Sequence, residues 1–251
     1  MAMSPRLLRP RATGFSPRSI AGLAVWVDAS SSASLYKNSD GTTPATATGD
    51  PVGYIADLSG NGRNATQGTA NNRPTLSAAT QNGRRGLVFD NSNDSLSLGN
   101  ISTAFSSSEG TGFFVYKIAI DNLYTVFRTR SNNTVTLVND AGQWTYNGAW
   151  RTARLNQLAS NLPYAAGSAA IVHTLQASAS IYEMRNNGSL VTSAAGNWNA
   201  GDSYELMADS AGGAWTNGTL YEAVLFSRVL NTSERQRVEK ALGLKWGITI
   251  P

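Results

Sequence analysis

The sequence of 251 residues has no cysteine, a single histidine and few charged residues, which make up 14% of the chain. Without cysteine, neither disulfides nor thiolate chemistry is available. Zinc sites are built mostly from cysteine and histidine, so the composition also argues against a zinc centre. No run of about 20 apolar residues is present, which is the length that a membrane-spanning helix needs. A chain of this length can bury a sizeable apolar core without disulfides or a metal centre to stabilise it.

The net charge of the chain is concentrated at its N-terminus. Lys and Arg number 20 and Asp and Glu 16, and the excess of four equals the four arginines of the first 18 residues: Arg6, Arg9, Arg11 and Arg18. A nucleic-acid-binding surface needs clustered cations, so the neutral remainder argues against nucleic acid as a partner. Leu7-Leu8 is too short for the apolar core of a signal peptide. We therefore expect residues 1–19 to form an extended basic arm, and residues 20–251 to form the folded domain.

Most of the domain consists of short segments rich in Val, Ile, Thr and aromatic residues, which is typical of half-buried strands. Asn187-Gly188 predicts a hairpin, because a type I′ turn requires positive φ at both central residues. A long loop is expected at residues 29–53. Many short strands with few helices predict a sandwich. The predicted strands are Ala24–Asp28, Gly86–Asp90, Gly112–Ile120, Leu123–Thr129, Thr134–Asn139, Gln143–Asn147, Ala169–Ala177, Ser180–Arg185, Ser189–Ser193, Ser203–Ala208 and Leu220–Arg228.

The C-terminal segment predicts an amphipathic helix. Asn231 can cap its first turn, and Glu234 three residues later completes a capping box. Gly247 is placed to end it. Four apolar residues lie at helical spacing on one face: Val238, Ala241, Leu242 and Trp246.

Three stretches together resemble a known family: Ala56–Thr66, Gly86–Asp90 and Leu220–Gly247. In this order they resemble the laminin-G-like branch of the concanavalin A-like lectin/glucanase superfamily, over roughly residues 20–250. The resemblance implies a jelly-roll sandwich of two antiparallel sheets with a short C-terminal helix. Members of that family are more often binding or structural modules than catalysts.

Catalysis is not supported by the carboxylates. Glucanases of the superfamily carry Glu-x-Asp-x-x-Glu on one strand, so that one acid attacks while the other protonates. None of the six glutamates is followed by an aspartate two positions on: Glu109, Glu183, Glu205, Glu222, Glu234 and Glu239. His173 lies in an apolar, strand-like segment and is expected to be structural. The prediction is that the chain is not an enzyme, although residues distant in sequence could still meet in space.

Calcium is raised by the resemblance, because several laminin-G-like domains hold Ca²⁺ at a loop rim. Oxygen ligands are available at Asp57, Asn61, Asp90, Asn93 and Asp94. The competing interpretation is that Asp57–Gly62 is a turn in which Asp, Asn and Gly supply local hydrogen bonds and positive φ. The turn interpretation is preferred, and no metal or cofactor is predicted.

Glycan binding needs aromatic faces that stack on sugar rings. The candidates lie among Asn, Gly and Thr: Trp144, Tyr146, Trp150, Trp198 and Trp215. Trp144 and Tyr146 share a face by alternation. The alternative is that these residues pack at the ends of the sandwich or in a subunit interface. Trp26 and Trp246 lie in apolar patterns and are predicted to belong to the core.

Bacteriophage structural proteins carry modules that resemble Leu23–Asp28 followed by Asp57–Gly62. The resemblance therefore favours a non-catalytic virion protein, either a head decoration or fibre protein or a tail-associated one. The arm is expected to bind other virion proteins, and the sandwich to project towards host-surface glycans. We expect the protein to self-associate, and we expect neither nucleic-acid binding nor membrane insertion. The protein would be made in the host cytoplasm and reside in the virion. The alternatives are a free carbohydrate-binding lectin and a glycan-cleaving enzyme. The missing carboxylates argue against the enzyme.

Overall fold

The computed structural model describes residues 14–105, 109–119, 124–129, 136–140, 143–146, 169–178, 182–194, 203–209 and 214–251. Within these ranges the chain forms strands in two antiparallel sheets and a short ribbon, followed by one α-helix. The strands are β1 (Leu23–Asp28), β2 (Leu35–Tyr36), β3 (Tyr54–Ile55), β4 (Ala65–Thr66), β5 (Thr75–Leu76), β6 (Leu87–Asp90), β7 (Leu96–Gly99), β8 (Gly110–Ile118), β9 (Tyr124–Thr129), β10 (Thr136–Asp140), β11 (Gln143–Tyr146), β12 (Ile171–Ala177), β13 (Tyr182–Asn186), β14 (Ser189–Ala194), β15 (Tyr204–Leu206), β16 (Ala208–Asp209), β17 (Ala214–Trp215) and β18 (Asn217–Phe226). The helix, α1, is Thr232–Trp246.

The two sheets form the sandwich that the sequence predicts. The first sheet has the order β14-β13-β12-β8-β18-β6-β5, and β1 pairs with the second half of β18. The second sheet has the order β11-β10-β9-β15-β7-β4-β3-β2, and β16 and β17 form the ribbon. All pairings in the described residues are antiparallel, as expected for a sandwich of this class.

The first sheet is buried on both faces, which explains the long apolar runs in its central strands. One face packs against the second sheet through residues such as Phe114, Leu225 and Phe127. The other face packs against α1 through a separate cluster that includes Phe113, Val224 and the helix residues given below. Strands covered on both sides lack the alternation of apolar and polar residues seen when one face meets water.

The predicted helix is confirmed together with both of its ends. Asn231 accepts a hydrogen bond from the Glu234 backbone N–H, and the Glu234 side chain accepts one from the Asn231 N–H. Gly247 ends the helix at φ 68°, in the left-handed region that glycine adopts without strain. Three of the four predicted apolar residues are buried against the sheet: Val238, Leu242 and Trp246.

The predicted turn at Asp57–Gly62 is confirmed, with φ of 94° at Gly60 and 71° at Gly62. It is tied to the free edge of β1, because Asn61 Nδ2 donates to the carbonyls of Leu23 and Ala24 at 2.9 and 3.0 Å. These bonds cover an edge that would otherwise expose unpaired backbone groups. The Asn187-Gly188 hairpin also forms, with φ of 48° and 82°.

Two parts of the prediction were incomplete. The expected loop at residues 29–53 contains β2, and β3, β4, β5 and β7 follow before the first sheet is complete. Four of these strands are only two residues long, too short for any alternation to appear in the sequence. The predicted Ser203–Ala208 strand is divided at Met207, where φ is 60°, between β15 and β16. Among the described residues, no helix combines the length and apolarity needed to cross a membrane.

Candidate binding site

A pocket of about 510 Å³ lies between α1, β1 and the segment that leads into the sandwich. Its apolar lining comes from the N-terminal segment and the helix, and its polar groups come from strands β1 and β18, the turn before β6 and the end of the helix. The lining includes Phe15, Trp26, Arg84, Leu242, Leu244 and Lys245. Leu244 is 83% exposed, so the mouth of the pocket is open to solvent. A mainly apolar concavity with a few fixed polar groups is the usual form of a small-ligand site.

Two carboxylates form the inner wall of the pocket. Asp28 and Glu222 are paired directly across β1 and β18, and both are buried. Lys245 Nζ lies 2.6 Å from Asp28 Oδ2 and 2.7 Å from Glu222 Oε2. Like charges facing each other on neighbouring strands destabilise a sheet, and the ammonium group offsets this repulsion.

Glu222 also holds two indole rings in place. Trp26 Nε1 donates to Glu222 Oε1 at 2.7 Å, and Trp246 Nε1 donates to Oε2 at 2.6 Å. Burial, together with the charge of Asp28, raises the pKa of Glu222, while Lys245 and Trp246 act in the opposite direction. The two tryptophans differ in exposure: Trp246 is fully buried, whereas Trp26 is half-buried and lines the pocket.

Every oxygen of the two carboxylates has a partner inside the protein. Asp28 Oδ1 accepts from the Ser30 backbone N–H at 2.8 Å and from its hydroxyl at 2.7 Å, and Oδ2 accepts from Lys245. The two oxygens of Glu222 are occupied by Trp26, Trp246 and Lys245. The pair therefore fixes the wall of the pocket and presents an indole to it, while neither carboxylate is held ready for proton transfer or attack.

The glycan candidates named from the sequence lie elsewhere. Trp144 and Tyr146 are in β11, the edge strand of the second sheet, and Trp215 is half-buried in β17, where it pairs with Ala208. Trp150 and Trp198 lie outside the described residues. Trp246 is in the core as predicted, but Trp26 is only partly so, because it is half-buried and lines the pocket.

Asp57 and Asn61, two of the calcium candidates, are used by the turn itself. Asp57 Oδ1 accepts from the backbone N–H of Trp26 and Ser59, and Oδ2 accepts from the Ser59 hydroxyl and the Arg63 N–H. Asn61 Nδ2 donates to the carbonyls of β1 and to the Ser59 hydroxyl, which fixes this side chain within the turn. This geometry is the turn interpretation given above.

Of the other three calcium candidates, Asp90 and Asp94 meet at the end of β6, and Asn93 lies in the turn between them, where its backbone N–H is 3.4 Å from Asp90 Oδ1. The Asp90 N–H donates to Asp94 Oδ2 at 3.1 Å. Burial, and then the nearby charge of Asp90, raises the pKa of Asp94 to about 6. Within the described ranges, no group of three or more His, Asp or Glu side chains is arranged to hold a metal ion.

His173 is in the core of the first sheet, as its apolar surroundings predict. Its ring is 1% exposed, and Nδ1 lies 3.4 Å from the Tyr116 hydroxyl. Burial lowers the pKa of His173 to about 3, so the imidazole is neutral at physiological pH. The histidine therefore has a structural place in the fold, away from the pocket.

The described end of the arm is docked on the sandwich. Arg18 Nε donates to the Leu58 carbonyl at 2.6 Å, and Pro17 and Ile20 are buried. Arg6, Arg9 and Arg11 lie outside the described residues. The chain thus enters the sandwich along the pocket, which Gly14 and Phe15 also line.

The sequence interpretation did not identify the pocket residues Asp28, Glu222, Lys245 and Arg84. A signal was present for two of them: Glu222 interrupts the apolar run Leu220–Phe226, and Asp28 ends the apolar run of β1. Buried acids of this kind need partners, since an isolated buried charge is very costly. The partner Lys245 lies 217 residues from Asp28 in the chain, and no local pattern reveals that distance.

No protein-family model matches this chain, and no curated protein matches it in sequence. Solved structures do share its fold. It is similar to the binding domain of Paraclostridial Mosquitocidal Protein 1, with a TM-score of 0.66 and 13% identity over 90% of this chain and 55% of that one. It is also similar to the botulinum neurotoxin serotype D binding domain, with a TM-score of 0.60 and 14% identity over 91% of this chain and 54% of that one.

A third similar structure is a Trypanosoma rangeli sialidase in complex with sialic acid, with a TM-score of 0.59 and 14% identity over 92% of this chain and 34% of that one. The chain therefore spans about half of the two toxin domains and a third of the sialidase. At these identities the similarity establishes only the fold, a β-sandwich, and the activities of those proteins are not carried over to this chain.

Proposed function

We propose that this chain is a non-catalytic, carbohydrate-binding β-sandwich module, and that its sugar site is the pocket beside α1. The observation that carries the proposal is the Trp26 indole, which is half-buried at the pocket wall and fixed by its hydrogen bond to Glu222. A rigid aromatic face beside a few polar groups is suited to stacking on the apolar face of a sugar ring. Because the indole is already held in place, little conformational entropy would be lost on binding.

The similar structures support a binding role. Two of them are named as binding domains, and a third is a sialidase bound to sialic acid. Because the fold is shared and the identity is low, these names raise the expectation of a ligand site without giving its position. The fixed Trp26 indole supports the pocket as that position in this chain.

The occupied carboxylates support the absence of catalysis. Most retaining and inverting glycosidases use one acid that can protonate the leaving group and a second that can attack or activate water. In the pocket, Asp28 and Glu222 are already bound by Lys245, the two tryptophans and Ser30. Incubation of the purified protein with bacterial polysaccharides should release no reducing ends, and release that is lost on mutating one carboxylate would overturn this part of the proposal.

The binding part is tested on an array of bacterial and host glycans, followed by titration of the best ligand. Trp26→Ala should weaken binding at least tenfold, as expected when a stacking face of a few kcal/mol is removed. Leu190→Ala, which truncates an exposed apolar residue on edge strand β14, is the matched control and should bind like the wild type. Unfolding of each variant is measured alongside, so that binding is compared only where both are folded.

Two results would contradict the proposal. The first is that no glycan binds the wild-type protein. The second is that binding survives Trp26→Ala but is lost on replacing one of the candidates named from the sequence: Trp144, Tyr146, Trp150, Trp198 or Trp215. That result would place the sugar site on one of those residues.

A second proposal concerns where the module acts. The confinement of the net charge to the first 18 residues supports an anchoring arm. With the resemblance to phage structural modules, it supports a virion surface protein, on the head or the tail, that binds other virion proteins and self-associates. The arm truncations in the Discussion test this proposal.

A further inference from the structure

Two exposed arginines lie at or beside the pocket. Arg84 lines the pocket next to the end of α1. Arg237, on the helix, lies over the ring of Phe15, with Cζ 5.4 Å from the ring centroid, and Phe15 itself lines the pocket.

Arg84 is held at the rim by a turn that caps the helix. Gln81 and Arg84 close the turn, whose central residues Asn82 and Gly83 have φ of 49° and 70°. Gln81 Nε2 donates to the Trp246 carbonyl at 2.7 Å, and Asn82 Nδ2 and Arg84 Nε both donate to that of Lys245 at 3.0 Å. The last carbonyls of a helix lack partners within it, so this turn satisfies them. It also fixes the Arg84 side chain at Nε.

The fork of Arg84 remains available. The two Nη groups make no hydrogen bond or ion pair with any residue in the described ranges. Guanidinium groups bind carboxylates through two parallel N–H donors, which gives both strength and orientation. Arg84 is therefore a positioned anion receptor beside an aromatic wall.

The other charged groups near the pocket are paired within the protein, although the inner wall keeps one formal negative charge because two carboxylates share a single ammonium group. Lys245 is bound to Asp28 and Glu222, as described above. Glu234, which lies near Arg237, is held through both oxygens by Arg228, at 2.9 and 2.6 Å. Arg84 and Arg237 have no ion-pair partner in the described ranges, so the groups that an entering ligand meets there are cations, and the free Arg84 fork favours an anionic group on the ligand.

We propose that the glycan taken by this pocket is acidic: a sugar carboxylate binds the fork of Arg84 while the sugar ring lies against Trp26. Arg84 is then the residue that sets specificity. This inference rests on the proposed carbohydrate site and adds the class of sugar. A sulfate ester could meet the same donors, so the test separates the two groups.

The experiment compares matched ligands on the intact chain. The probes are an oligogalacturonate, the same oligosaccharide with its carboxyl groups reduced to alcohols, and dextran with and without sulfate. Dissociation constants are measured by calorimetry at low and at physiological salt. We expect the oligogalacturonate to bind at least tenfold more tightly than its reduced form, because a planar carboxylate matches the fork. The affinity of sulfated dextran relative to that of dextran should increase by a smaller factor.

Arg84→Gln should weaken binding of the oligogalacturonate about tenfold and so remove most of that difference. The Gln side chain can still reach the helix carbonyl but lacks the fork. Arg85→Gln is the control: Arg85 is adjacent in the chain, but donates to the Thr46 carbonyl and does not line the pocket. It should leave the difference unchanged at both salt concentrations. Arg84→Lys keeps the charge and should recover only part of the affinity.

The outcomes distinguish this inference from the proposed function. If acidic and reduced oligosaccharides bind equally, and Trp26→Ala weakens both, the sugar site stands and the acidic specificity is wrong. If Arg84→Gln and Arg85→Gln weaken acidic ligands equally, the effect is general surface charge and the role of Arg84 is wrong. If sulfated dextran shows the larger gain, the carboxylate assignment is wrong. If Trp26→Ala weakens the binding of none of the probes, the proposed sugar site is wrong, and the acidic specificity that rests on it is wrong with it.

Discussion

Asp28 and Glu222 face each other across β1 and β18, and one ammonium group, Lys245 Nζ, binds both of them at 2.6 and 2.7 Å. This contact joins the first strand, the last strand and the helix. It also explains how two buried acids are tolerated next to the core, since each has hydrogen-bond partners as well as the shared cation. The pocket owes its shape to this junction.

Lys245→Met should destabilise the protein by about 3 kcal/mol, because it removes the cation and leaves two buried acids facing each other. Adding Asp28→Asn should restore part of the loss, since the amide removes one charge and can donate to Glu222. The measurement is denaturant unfolding at pH 7. Lys240→Met is the control on the same helix, at an exposed residue with no partner in the described ranges, and should change stability by less than about 0.5 kcal/mol. Wild-type stability of Lys245→Met would show that the bridge contributes nothing.

Trp246→Ala should cost roughly 3–5 kcal/mol, because a fully buried indole is removed from a close-packed site and Glu222 loses a donor. Trp26→Ala should cost less, since that ring is only half-buried, and its main effect should be on glycan binding. Thermal unfolding of the two variants checks the order. Trp198→Ala, at one of the glycan candidates named from the sequence, belongs in the same series: greater destabilisation there than in Trp246→Ala would make Trp198 a packing residue.

The fold was largely predictable from the sequence, for reasons that are local. The capping box at Asn231 and Glu234, the stop at Gly247 and the turn at Asn187-Gly188 each depend on a few adjacent residues. The pocket was not predictable, because Trp26, Arg84 and Lys245 come together only through strand pairing and helix docking. A tryptophan in an apolar strand gives the same sequence pattern whether its outer face meets a neighbour or a cavity. Trp26 does both.

Stability should depend on Asp94 between about pH 4 and pH 6. Its pKa in the folded protein is about 6, above the ordinary value of 3.8. The folded state therefore binds the proton more tightly than the unfolded state, and this group's contribution to stability falls as the pH rises through that window. Asp94→Asn removes the charge and keeps an acceptor for the Asp90 N–H. It should match the wild type below pH 4 and exceed it at pH 8. Equal stability at pH 8 would contradict the raised pKa.

His173 should act in the opposite direction. Burial lowers its pKa to about 3 in the folded state, so between pH 6.5 and pH 3 only the unfolded state takes up the proton. Its contribution is full above pH 6.5 and decreases as the pH falls, by about 1.4 kcal/mol per unit once the unfolded imidazole is mostly protonated. The Asp94→Asn background separates the two effects. Because the chain has one histidine, its NMR signals are unambiguous, and a ring that titrates near pH 6.5 in the folded protein would refute this prediction.

The last prediction concerns where the arm ends. The sequence placed its boundary at residue 19, but Pro17 and Ile20 are buried and Arg18 is bound to the Leu58 carbonyl. Deleting residues 2–13 should leave the melting temperature nearly unchanged, because this basic stretch is too poor in apolar residues to form a core of its own. Deleting residues 2–19 should lower it by several degrees, since Phe15 and Pro17 leave the second apolar cluster and the pocket wall. If the arm is a virion anchor, both truncations should abolish incorporation into particles, and the shorter one should do so in a fully folded protein. Normal incorporation after deletion of residues 2–13 would contradict the anchoring role. Equal melting temperatures for both truncations would mean that the docked segment contributes nothing to the stability of the sandwich.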